Sequence, residues 1–257
     1  MPPVRVAIIQ TGNGPDSPLE RVFQVDSFLR ELPADVSLVI LPELWSVPHV
    51  DEALPENARF SPSLLERLSD EASRRFCAIH CGSLPWVEHG FLFNRSFFLN
   101  EEGRVIARYD QTHLLPSVEE DSFFRPGKAT SPFFWKGSVL GIAIGRDLLF
   151  PEFIRTLALA GSRILLLCAS WPENQMAQWR ALLQARSIEN QIFTVACNRC
   201  GHSMGIAPDG TLLAEAGKGP ETLVFEMDPA ATERVRKKLP LLEGRRRDLY
   251  SLLSSMS

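Results

Sequence analysis

Val139-Leu140-Gly141-Ile142-Ala143-Ile144 sets six residues in a row with no polar position among them. Side chains along a strand alternate between two faces, so a strand of this composition needs cover on both. From Pro151 to Ala160 the chain reads as a helix, and Arg163 to Cys168 is a second apolar strand. From Asn174 to Asn190 the spacing of Trp179, Leu182, Leu183, Arg186 and Asn190 predicts another helix. The start of the chain repeats this order. Val4 to Gln10 is a buried strand, Leu19 to Leu32 a helix, and Val36 to Leu41 a strand ended by Pro42. Ser61 to Phe76 is a helix in which Ser61 serves as cap and Pro62 takes the first helical position. Between the two units, Cys77 to Leu84, Phe91 to Leu99 and Val105 to Tyr109 read as a meander of strands, followed by a proline-rich loop from Pro116 to Pro132. Strands at Ile192 to Cys197, Ser203 to Ala207, Thr211 to Glu215 and Thr222 to Glu226, with a turn at Pro208-Asp209-Gly210, lead to a last helix from Pro229 to Leu239. With no linker or repeat, residues 1–257 form one α/β domain, two sheet layers covered outside by helices.

Composition narrows the function. Twenty-seven basic against thirty-one acidic residues give a net charge of −4, and the one sizeable run of a single sign is Arg245 to Arg247, so no nucleic-acid or membrane partner is expected. No apolar stretch approaches the ~18 residues of a membrane span. Met1-Pro2-Pro3-Val4-Arg5 runs directly into a strand, and a cytoplasmic protein is expected. Of five cysteines, Cys77, Cys81, Cys168 and Cys197 lie in apolar segments, as reduced packing residues do. Cys197 and Cys200 have C-x-x-C spacing, but nearby His202 could add at most one zinc ligand, and more strand follows where a redox pair would open a helix. His49, His80 and His89 have no ligand spacing either, so neither metal nor cofactor is expected.

At Leu41-Pro42-Glu43-Leu44-Trp45 a carboxylate follows a buried strand, the place where loops build the sites of α/β folds. Four further segments follow in order: Arg108-Tyr109-Asp110-Gln111-Thr112-His113-Leu114, Phe124-Arg125-Pro126-Gly127-Lys128, Asp147-Leu148-Leu149-Phe150-Pro151-Glu152, and Ala185-Arg186-Ser187-Ile188-Glu189-Asn190-Gln191. Ser170-Trp171-Pro172, Asn198-Arg199-Cys200-Gly201 and Arg246-Arg247-Asp248-Leu249-Tyr250 extend the pattern. Together they resemble the nitrilase superfamily of carbon-nitrogen hydrolases over essentially the whole chain, and in particular its omega-amidase branch, which hydrolyses the side-chain amides of small dicarboxylate monoamides.

The resemblance implies a four-layer α-β-β-α sandwich, usually a homodimer, with a Glu-Lys-Cys triad often joined by a second glutamate. In such a site a thiolate attacks the amide carbon and a glutamate takes and returns the proton. A lysine and a backbone N–H stabilise the oxyanion. Carried over by motif, the general base falls on Glu43 and the second glutamate on Glu120. The lysine falls on Gln111 and the nucleophile on Gly145. Arg146 stands where an aromatic is usual, and Leu149 where an arginine is.

Changes at 111, 145, 146 and 149 together point to natural divergence; a knockout would alter the nucleophile alone. The resemblance then implies a catalytically dead member kept for binding or scaffolding, with a small amide or carboxylate as possible ligand. The alternative is an amidase with a displaced nucleophile, for which Cys168 and Cys200 are the candidates. Arg146, Asn198 and His113 are pocket candidates, although the family's histidine at 113 is not a triad member. Arg146 either pairs with Asp147 or turns to solvent, or it returns a cation beside Glu43 and Glu120, two carboxylates that cannot both stay ionised cheaply without one. Trp179 belongs to an apolar helix face, and Arg245 to Arg247 is a solvated run or a dimer contact.

Overall fold

The structure is a computed structural model that describes residues 3–115, 122–130 and 132–250. Strand β1 (Val4–Gln10) shows how the layers arise: Val6 and Ile8 point into one apolar core while Ala7 and Ile9 point into another. Strand β2 (Leu38–Ile40) repeats this, with Leu38 and Ile40 on one side and Val39 on the other. The first core lies between two sheets, and the second lies between the first sheet and helices α1 (Pro18–Glu31) and α3 (Ser61–Arg75). A short helix α2 (Leu54–Asn57) precedes α3.

The first sheet has seven strands. β1, β2 and β3 (Ala78–His80) run parallel. β4 (Leu84–Glu88), β5 (Phe91–Leu99) and β6 (Val105–Asp110) form an antiparallel meander, in which β5 pairs along one edge with β3 and β4 in tandem and along the other with β6. The single strand expected over Cys77 to Leu84 is thus replaced by β3 and the start of β4. β13 (Glu221–Met227) closes the far edge against β1. The second sheet has six strands in the order β12-β11-β10-β9-β8-β7. Its centre is the parallel set β8 (Ser138–Ile144), β9 (Ile164–Ala169) and β10 (Phe193–Asn198), flanked by β7 (Phe133–Trp135) on one side and β11 (Met204–Ile206) and β12 (Leu212–Glu215) on the other. Helices α4 (Pro151–Leu159) and α5 (Met176–Asn190) pack on its outer face. At Gly141 an added Cβ would meet both methyls of Leu157 at 3.0 and 3.1 Å, so the glycine inside this apolar strand brings α4 close. Helix α6 (Ala230–Lys238) and one turn, α7 (Arg247–Tyr250), complete the described chain. The result is the expected α-β-β-α arrangement. Among the described residues no helix is long and apolar enough to cross a membrane.

Two local expectations need correction. Ser61 does not cap α3. A 3₁₀ turn at Ala58–Phe60 runs directly into the helix, and the buried Ser61 hydroxyl donates to Pro85 O at 2.6 Å, fastening α3 to β4. Helix α5 begins at Met176 because residues 173–175 form a 3₁₀ turn. Ser17 does cap α1, accepting from Glu20 N at 3.5 Å ahead of Pro18.

Candidate functional site

Three strand ends converge between the sheets. Glu43 follows β2, Gln111 follows β6, and Gly145 follows β8 and opens a 3₁₀ turn over Gly145–Leu149. All three line a cavity of about 810 Å³, within the usual size range of small-molecule sites.

The 3₁₀ turn is fixed by Asp147, whose fully buried carboxylate accepts from Tyr109 Oη (2.7 Å), Ile144 N (2.9 Å) and His113 N (3.1 Å) and bonds His113 Nδ1 at 2.8 Å. His113 also stacks on Phe150, with ring centroids 3.9 Å apart. From the far side Arg186 of α5 donates through Nε and Nη2 to Leu148 O and through Nη1 to Glu189. The backbone that would carry a nucleophile is therefore held from the first sheet, through Tyr109, and from helix α5, through Arg186.

At Gly145 φ is +47°, in the left-handed region that favours glycine. An added Cβ there would lie 2.8 and 2.9 Å from the two carboxylate oxygens of Glu43. Asn94, buried in β5, holds that carboxylate: its Nδ2 donates to Glu43 Oε1 at 2.8 Å and to Gln111 Oε1 at 2.9 Å. Gln111 in turn donates through Nε2 to Ile144 O (3.3 Å) and His113 O (3.4 Å). Sequence reasoning passed over Asn94, although Asn94-Arg95-Ser96 is a polar interruption of the otherwise apolar Phe91–Leu99 and was the available signal.

The other candidates separate. Arg146 faces the cavity, while Asp147 turns inward to the partners given above. Glu120 lies outside the described residues. Asn198 and His113 stand behind the cavity wall and do not line it. Asn198 is fully buried because its amide accepts from Trp171 N (2.7 Å) and donates to Trp171 O (3.1 Å) and Gly201 O (2.7 Å), which sets the loop after β9. Trp171 itself lines the cavity, with Nε1 3.4 Å from Gly145 O. Trp179, one helix turn into α5, is buried with its Nε1 on His202 O at 2.9 Å and takes no part in the lining. Arg199 was read only as part of a motif, yet it lines the cavity, and its guanidinium donates to Leu44 O, Val47 O and Pro48 O, securing the loop that carries Glu43.

All five cysteines are free thiols. Cys168 is fully buried beside Ile144 in the sheet, and burial, with the Glu43 carboxylate nearby, raises its thiol well above the ordinary range. Cys197 is buried too and contacts Ile9 O. Cys200 is partly exposed, 3.7 Å from Ser170 Oγ and 3.4 Å from Asn13 Oδ1, two residues of the cavity rim. Among the described residues no group of three or more His, Cys, Asp or Glu could hold a metal ion.

Fold and site together define a carbon-nitrogen hydrolase scaffold. The carbon-nitrogen hydrolase family model matches residues 5–237, and the chain belongs to that family. Curated relatives include a hydrolase in the agr operon of Staphylococcus lugdunensis, 33% identical over 84% of this chain and 97% of the relative. The 2-oxoglutaramate amidase of Bacillus subtilis is 30% identical over 91% of this chain and 94% of the relative. Among solved structures, an active-site arsenic adduct of a carbon-nitrogen hydrolase superfamily protein from Xanthomonas campestris has a TM-score of 0.87 at 26% identity, covering 95% of this chain and 98% of that one.

Proposed function

We propose that this protein is a non-catalytic member of the carbon-nitrogen hydrolase family that keeps the amidase cavity as a binding site. The observation that carries this reading is glycine at the elbow after β8, with the Glu43 carboxylate oxygens 2.8 and 2.9 Å from where a nucleophile's Cβ would stand. Glycine supplies no nucleophile, and loss of one costs on the order of 10⁶ in rate in a comparable triad enzyme. Gln111, a neutral amide, replaces the ammonium that would stabilise an oxyanion. The test is ammonia release from glutaramate, glutamine, asparagine and simple nitriles. None is expected, and turnover at ordinary enzymatic rates sinks the reading.

One observation favours a second reading, an amidase with a displaced nucleophile. Cys200 is partly exposed and contacts Ser170 and Asn13, two residues that line the cavity. If amide hydrolysis is found and Cys200→Ser removes it, that reading replaces the first.

The protein is further taken to be a cytoplasmic homodimer, a reading supported by its five free thiols and by exposed Leu149, Leu159 and Ile188 on the α4 and α5 side of the sandwich. Light scattering at micromolar concentration should give twice the 28.8 kDa chain mass.

A further inference from the structure

Arg21, near the N-terminus of α1, is a cation inside the fold. It is 2% exposed, and its guanidinium makes one hydrogen bond, from Nη2 to Asn13 O. Nε and Nη1 are buried with no acceptor. Burial, and then the nearby Arg199, lower its pKa only to about 10, so it is protonated at neutral pH. Among the described residues no carboxylate stands within ion-pair distance of it. Asp16 attracts it from farther off, through a carboxylate that is 93% exposed and 3.7 Å from His49 Nε2. Gln24 Oε1, likewise buried without a partner, is a neutral acceptor and could not balance the charge. Neither could a water molecule, and the N-terminus of α1 is the positive end of the helix dipole. A buried charge ordinarily has an opposite one against it. Arg21 has no such counter-ion in contact with it.

We propose that Arg21 is the centre of a site for one halide-sized monovalent anion, held beneath the Gly12-Asn13-Gly14 span and outside the amidase cavity. One negative charge matches one guanidinium, whereas a dianion would leave a net charge buried. Size follows from the cover. A Cβ on Gly14 would lie 2.8 Å from Nη1 and 3.2 Å from Cζ, so the backbone lies close over the group and only a compact ion fits beneath it. The cover is also where the ion enters: Asn13 and Gly14 are exposed, and Gly12 and Gly14 hold φ of +68° and +62°, in a region where glycine moves at little cost. Asn13 carries the effect inward. It lines the cavity, its carbonyl also accepts from Arg199 Nη2 at 3.5 Å, and its Oδ1 accepts from Cys200 Sγ at 3.4 Å. An anion that draws Arg21 from Asn13 O leaves that carbonyl to Arg199, and so acts on the cavity wall from behind it.

The experiment is urea unfolding of the full chain at fixed ionic strength, with chloride replacing gluconate, a monoanion too large for the site. The expected result is a saturable gain in stability. The unfolding constant should fall at least about threefold between no chloride and about 100 mM, the factor that one site with a Kd of about 50 mM gives. Arg21→Met should abolish the dependence, and Arg21→Gln takes its place if the methionine variant does not fold. In crystals of the parent chain grown with bromide, an anomalous peak is expected within about 3.5 Å of Arg21 Nε or Nη1, a measurement that decides alone if neither variant folds. No chloride dependence in the parent, the same dependence in a folded variant, which marks an unspecific salt effect, or no bromide at Arg21 overturns the proposal. None of these readings depends on whether the cavity hydrolyses amides, so this inference and the non-catalytic reading can fail independently.

Discussion

The carboxylate of Glu43 packs so closely on Gly145 that not even a methyl group fits between them: a Cβ on Gly145 would lie 2.8 Å from Oε2. Gly145→Ala should therefore destabilise the protein by about 1–2 kcal/mol, the cost of a left-handed non-glycine residue. Glu43 would also have to swing away from Asn94. Denaturant unfolding measures the change, and an alanine variant as stable as the parent would contradict the geometry.

Chemistry should not return one residue at a time. Gly145→Cys alone is expected to release no ammonia above background from glutaramate, because an oxyanion would still meet the neutral Gln111 amide, and members of a triad act as a unit. Gly145→Cys with Gln111→Lys restores both groups and is the variant in which release is expected. Equal rates in the single and double variants would show that Gln111 is not what limits the site.

Thiol reactivity should be confined to one position. Burial pushes the Cys77 thiol up to about 12 and raises Cys81, Cys168 and Cys197 as well, so none of these is a thiolate near neutral pH. Cys200 alone is partly exposed. Ellman's reagent at pH 8 should label one thiol of the native chain quickly and all five after denaturation. Rapid labelling of two or more in the folded protein would place another cysteine within reach of solvent.

His80 makes the fold acid-sensitive. It is fully buried with Nε2 2.9 Å from Ser96 Oγ, and desolvation lowers its pKa to about 3 from 6.5. Between those values the unfolded chain binds the proton and the folded chain does not, so stability falls as pH falls below about 6.5. From pH 7.5 to 5 this one group should cost roughly 2 kcal/mol, the slope approaching about 1.4 kcal/mol per pH unit below 6.5. Unfolding free energies at pH 7.5 and 5 for the parent and for His80→Asn should differ in slope by about that amount. Parallel pH dependences would assign the acid sensitivity elsewhere.

The order of elements was legible because apolar periods of two and of about 3.6 residues survive throughout, as β1 and α5 illustrate. Pairing across the sheet was less so. That β3 and β4 share one edge of β5 depends on contacts between segments that no local pattern relates. Ser61 looked like a cap because a serine before proline fits one, and only the approach of β4 gives its hydroxyl a better partner. The positions of Glu43, Gln111 and Gly145 were found from their motifs, but the relation between them was not. It runs through Asn94, fifty-one residues from Glu43 and seventeen from Gln111, a side chain whose part is set entirely by where the fold brings it.

Asp147 binds Tyr109, His113 and the Ile144 amide, and none of these is a residue that would react with an amide. The frame that aligns the ends of β6 and β8 thus rests chiefly on Asp147, with Gln111 Nε2 adding longer bonds to Ile144 O and His113 O. Selection for a folded, long-lived chain would maintain that frame without regard to chemistry, so on the proposed non-catalytic reading a nucleophile could be lost while the Asp147 frame stayed in place. A lineage can in this way lose a reaction in a few substitutions and still inherit a shaped, rigid receptor, ready to be selected for whatever it holds.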